Sequence, residues 1–270
     1  MRLAACALLI LLASCAHDGA ARRVGSSAAH ADVMRVGSEA AHPTTASSPI
    51  AEANQLVLVT TADWNATTGT LRRYARDGGG WRTVGSAIDV TVGRMGTAWG
   101  IGLHDAQPGP RKREGDGKAP AGAFAIGTAF GYGDSLRTRM PFEAMDAGDW
   151  CIDVPASPLY NTIVDEKQVG AKAIEGATEP MRRDIHADGD QRYVVGFVIE
   201  HNPQRVPQGG SCIFAHVWKA PGEATAGCTA MDEKGLRHVL AWLRPERRPV
   251  FVLLPQPELE RLRDAWRLPH

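Results

Sequence analysis

The sequence has no surplus of either charge, no apolar run long enough for a permanent membrane span, and few cysteines. Thirty basic residues balance thirty acidic ones in 270, so no bulk field draws the chain to nucleic acid or to an anionic lipid surface. The longest apolar run, Leu3 to Ala13, follows a positive end at Arg2. It is too short to cross a bilayer as a stable helix and has the form of a secretory signal peptide. Five cysteines in all are too few for a disulfide-built miniature scaffold, so the fold must rest on an apolar core. With 44% hydrophobic and 22% charged residues, the composition suits one globular domain and an appendage.

The appendage lies at the front. "LASC" at 12–15 resembles a bacterial lipobox, which implies cleavage after a signal peptide at 1–14 and lipidation of Cys15. Ala16 rather than aspartate follows, so the implied location is periplasmic, held at the outer membrane by the lipid anchor. Residues 15–54 are mostly small and polar, cannot bury enough apolar area to offset chain entropy, and are expected to form a disordered tether. About forty flexible residues reach ~35 Å.

From Gln55 the texture changes. Short apolar or alternating runs at 55–61, 70–76, 81–93, 122–127, 192–200, 211–218 and 249–255 are separated by turn signals such as "DGGG" at 77–80. They predict a mainly β domain of sandwich or barrel type over 55–256. One helix is expected at 232–243, with Leu236, Val239, Leu240 and Leu243 on one face and Asp232 and Glu233 at its start. A short helical tail is expected at 257–270. Nucleotide-loop readings fail: Lys112 stands where a phosphate loop needs its first glycine, Ala119 replaces the Ser or Thr, and "GIGLHD" at 100–105 lacks a third glycine.

Cys151, Cys212 and Cys228 remain beyond the lipobox. An odd number leaves at least one thiol free in an oxidising compartment. Cys228 lies in a Gly-containing bend before a helix, a setting that favours a thiolate. Cys212 on an apolar strand and Cys151 beside Trp150 suit structural roles, so Cys151–Cys212 is the expected pair if a disulfide forms, although spacing alone does not fix connectivity. A zinc site from Cys212, His216 and Cys228 lacks a fourth ligand, since neither His201 nor His238 makes a recognisable spacing, and no metal or other cofactor is expected. His216, twelve positions before Cys228, is the nearest base in sequence for a nucleophilic thiol.

"HVWKAPGEATAGCTAM" at 216–231 resembles the catalytic segment of the L,D-transpeptidase (YkuD-like) family, in which a histidine at a strand end precedes Ser/Thr-x-Gly-Cys. "REGDGKAPAGAFAIG" at 113–127 resembles that family's strand-entry segment, and "YNTIVD" (160–165), "VIEHN" (198–202) and "GGSCIFAH" (209–216) resemble stretches of one branch. The resemblance implies an L,D-transpeptidase-like β-sandwich or barrel with one or two short helices, acting on peptidoglycan stem peptides through a thioester on Cys228, with His216 as base. It implies that the Val217 carbonyl orients His216, that Gly227 and Cys228 offer oxyanion N–H groups, and that Thr225 positions His216 or substrate. His201 and Asn202 are expected to line the cleft or to cap the end of their strand. Val217, Ala226 and Ala230 stand where the wider family carries glycine, histidine and arginine, so the acyl acceptor stays open. A cysteine-dependent peptidoglycan hydrolase or carboxypeptidase, and an inactive wall-binding lipoprotein, remain as alternatives.

Overall fold

The computed structural model describes residues 48–270; the expected signal peptide, Cys15 and most of the expected tether lie outside them. The strands are β1 (Gln55–Thr61), β2 (Thr68–Ala75), β3 (Arg82–Thr91), β4 (Thr97–Trp99), β5 (Ala119–Gly131), β6 (Phe142–Ala144), β7 (Asp149–Cys151), β8 (Ile163–Asp165), β9 (Glu179–Pro180), β10 (Val195–Ile199), β11 (Phe214–Val217), β12 (Thr229–Met231) and β13 (Val250–Pro255). The helices are α1 (Glu166–Val169), α2 (Arg183–His186), α3 (Glu233–Trp242) and α4 (Gln256–Trp266). No described helix is long and apolar enough to cross a membrane.

The large sheet runs β10-β11-β12-β3-β2-β1-β13-β5, and the pairing of β10 with β5 closes these eight strands into a barrel. Closure leaves no free edge among the eight. The last seam is uneven: Phe197 faces Ala129 and Ile199 faces Ile126, with a register shift between them. Most neighbours are antiparallel, but β1–β13 and β11–β12 are parallel. Strand alternation sends Ala129, Ala215 and Met231 into the main core, while Phe130, Phe214 and Cys228 join a second cluster. Cys151 of β7 and Met181, next to β9, belong to that second cluster, so the small sheet β8-β7-β9 covers the outer face of the barrel there.

The predicted helix at 232–243 forms as α3, capped by Asp232, whose carboxylate accepts from Gly235 N–H at 2.8 Å. Glycine at 235 has a packing reason: an added Cβ would lie 2.7 Å from Asp232 Oδ2 and 3.0 Å from Ile88 Cγ2. Helix α3 packs on β10 and β11, and α4 on β13 and β1.

Two boundaries differ from the sequence reading. The fold begins before residue 55, because Ile50 is fully buried in the core and Ser48 Oγ donates to the Trp266 carbonyl at 2.6 Å. The tail at 257–270 is no separate appendage either: Leu259, Leu262 and Trp266 bury one face of α4 in the same core. Strands β4, β6 to β9 and β12 escaped the sequence reading because two or three residues carry no periodicity.

Phe251 is buried at the centre of β13, between Val57 of β1 and Phe124 of β5. Phe251→Ala is expected to destabilise the domain by about 3–5 kcal/mol, measured as a lowered urea midpoint with an unchanged slope.

Candidate active site

Three segments converge on Cys228. In the parallel register of β11 and β12, Ala215 faces Thr229 and His216 faces Ala230. One step back, Cys228 falls beside Phe214, whose N–H donates to Cys228 Sγ at 3.3 Å. His216 and Cys228 are thus diagonal neighbours on one face of the barrel wall. The S–H points instead to the Cys212 carbonyl at 3.5 Å, and no hydrogen bond joins Sγ to the imidazole among the described residues.

Cys151 and Cys212 form a disulfide, and Cys228 is the free thiol. The bridge ties β7 of the covering sheet to the chain entering β11. Asn161 Oδ1 accepts from Cys212 N–H at 2.9 Å, so that the carbonyl facing the thiol is held from both sides of its residue.

His216 is almost fully buried, and its Nδ1 lies 2.8 Å from the Val217 carbonyl. A carbonyl can only accept, so Nδ1 carries the proton and Nε2 keeps a free lone pair. Burial pulls the imidazole down to about 4, with the Arg192 and Arg183 cations adding to the effect. Burial likewise pushes the Cys228 thiol up to about 12, helped by the Glu179 carboxylate. Both groups therefore rest neutral. The Ala230 methyl sits beside His216 in a fully buried position, which has no room for an arginine.

Thr225 bridges the bend: its hydroxyl donates to the Cys228 carbonyl at 2.7 Å and accepts from Gly227 N–H at 3.1 Å. It is buried and its hydroxyl makes no hydrogen bond to His216, so its structural part is to fix the bend. Of the two expected oxyanion donors, the Gly227 N–H is already bonded to Thr225. Glycine is still called for at 227, because a Cβ would sit 3.0 Å from the Lys118 carbonyl and 3.8 Å from Lys112 Nζ.

Of the two roles expected for His201 and Asn202, the structure favours the one at the end of their strand over cleft lining. Both are buried, and neither lines the thiol's cavity. His201 accepts from Ile101 N–H on Nδ1 and places Nε2 2.9 Å from the Gly209 carbonyl. Asn202, in a left-handed conformation, spends its amide on the Val206 and Gly210 carbonyls and on Val206 N–H. They bracket the 203–210 loop, a use that a polar pair after an apolar strand does not distinguish from cleft lining.

A cavity of about 190 Å³ is lined by Cys228 together with Gly227, Cys212, Arg94, Lys112 and Glu179 among others. Lys112 had no functional reading in the sequence, yet its Nζ is buried here, bonded to Asp116 Oδ1 at 2.6 Å and to the Arg113 carbonyl at 2.7 Å. Asp116 also accepts from the N–H groups of Arg113 and Lys118, which holds the loop. Glu179 and Tyr193 were missed too. The Tyr193 hydroxyl donates to Glu179 at 2.8 Å, while its ring sits edge-on to His216 with centroids 5.2 Å apart. Residues 112, 179 and 193 come from three distant segments, so no local spacing announces them.

Comparison of the chain with protein-family models, with curated protein sequences and with solved structures returns no match.

Three outcomes test this geometry. Thr225→Val leaves the buried Gly227 N–H without an acceptor and is expected to lower stability by about 1–3 kcal/mol, read by urea unfolding. Alkylation of Cys228 by iodoacetamide should keep rising from about pH 7 to about pH 10 rather than level off near the ordinary thiol range of ~8.5. Glu179→Gln removes a carboxylate that raises the thiol, so alkylation should quicken in the neutral range. A plateau near pH 8, or no change in the variant, would contradict the assigned environment.

Proposed function

We propose that the domain is a cysteine acyltransferase of L,D-transpeptidase type, acting on peptidoglycan stem peptides. The observation that carries the reading is the free, buried thiol of Cys228 in the lining of a cavity, on the same face as a histidine whose tautomer leaves Nε2 open. The sequence resemblance supplies the substrate class. A lipid on Cys15 would hold the domain in the periplasm at the outer membrane, within reach of the wall. Nucleic acid has no part in this reading.

In the reaction, the Cys228 thiol turns from the Cys212 carbonyl toward His216. Its proton passes to Nε2 as the sulfur bonds to the peptide carbonyl carbon. The C–N bond breaks, the amine leaves with the proton from His216, and a thioester remains on Cys228. An acceptor amine then attacks the thioester carbon and gives a proton to His216, and the C–S bond breaks to restore the thiol. Because thiol and imidazole both rest neutral, charge separation needs help from the site. The buried Lys112, which lowers the thiol's affinity for its proton, lines the same cavity and would favour the sulfur and oxyanion charge.

Incubation of the protein with muropeptides and a free D-amino acid, followed by mass spectrometry, is expected to show exchange of the terminal residue and a thioester mass on Cys228. Cys228→Ala should abolish both, and His216→Ala should slow exchange by about 10²-fold or more. Loss of the terminal residue without exchange would identify a hydrolase on the same thiol. No turnover, together with no labelling of Cys228 by a carbapenem-type probe, would replace the enzyme with a wall-binding protein.

A further inference from the structure

A second cavity, larger than the one at the thiol, lies elsewhere in the domain. About 700 Å³ in volume, it is walled by the turn at Ala51–Ala53, residues 125–128 of β5, Met140, Pro141 and the 245–250 segment. It shares no residue with the cavity at Cys228. Its size is that of a small-molecule site, and its lining is mainly apolar. Leu103 stands half exposed at its wall.

One charge in this wall is unanswered. Glu200 follows β10 and is anchored by its own N–H to the Ala125 carbonyl at 3.1 Å, while its side chain reaches over β5 at Gly127. A Cβ on Gly127 would lie 2.0 Å from Glu200 Oε1. Glycine costs stability in the middle of a strand; at 127 it leaves the space that this carboxylate fills, and an added Cβ would also come within 3.2 Å of Val198 Cβ. The only cation in the wall, Arg248, is already paired with Glu52 at 2.5 Å. Among the described residues, Glu200 has neither an ion pair nor a side-chain hydrogen bond, and burial raises its carboxyl above the usual range.

We propose that this cavity is a second binding site, which takes an organic ammonium ion with an apolar body, the ammonium on Glu200 and the body against Ala125, Ile126, Met140 and Leu103. A cation answers the one free charge, and the apolar walls exclude water from the pair, which strengthens it. A carboxylate ligand would meet Glu200 as a like charge, and a neutral apolar one would leave the half-buried carboxylate unpaired.

The test uses matched probes on the full chain, by calorimetry or by NMR shifts of the cavity methyls. Cyclohexylmethylammonium is expected to bind, cyclohexylmethanol at least about tenfold more weakly, and cyclohexanecarboxylate not at all. Glu200→Gln, which keeps shape and removes charge, should erase the preference for the ammonium over the alcohol. Gly127→Ala, which displaces the carboxylate, should weaken the ammonium alone. Iodoacetamide labelling of Cys228 at the wild-type rate shows that both variants are folded. Equal affinity for ammonium and alcohol, an unchanged preference in Glu200→Gln, or no binding of the ammonium would overturn the proposal.

Discussion

The parallel pairing of β11 with β12 is the constraint from which the site follows. Parallel neighbours cannot be joined by a tight hairpin; the chain must travel back along the strand before it pairs again. Residues 218–228 make that return without a helix. The return sets His216 and Cys228 on one face, a diagonal step apart, and puts the bend of Thr225 to Cys228 at the start of the second strand. Shifting either strand by one residue would turn one of the two side chains into the barrel.

Burial then decides the chemistry of the pair. The covering sheet and the disulfide from Cys151 to Cys212 enclose the thiol, and the same enclosure lowers the histidine and raises the cysteine. The surrounding charges are arranged in opposition. Glu179, held by Arg183 and Tyr193, resists thiolate formation, while Lys112, held by Asp116, favours it. A neutral resting pair is protected from casual reaction.

Polar residues close in sequence to the chemistry did not all join it. His201, Asn202 and Thr225 became brackets for loops, because a buried loop must satisfy its own backbone groups and takes the nearest side chains to do so. Glu200, next to His201, had no backbone group to serve and faces open space. The barrel therefore presents two unlike cavities, one walled by paired charges around a sulfur and one by apolar groups around a lone carboxylate.

The sequence by itself determined the mainly β character, the long strands, the capped helix at 232–243 and the bend that holds Cys228, since each rests on local periodicity or turn chemistry. Tyr193, Glu179 and Lys112 at the site, the start of the fold before residue 55, and the closure of β5 on β10 were decided only in the tertiary structure. So was the pairing of Cys151 with Cys212, for which the sequence offered only an expectation. All of these join residues distant in the chain, and a sequence records spacing along the chain, whereas burial and contact depend on which distant segments the closed barrel brings together.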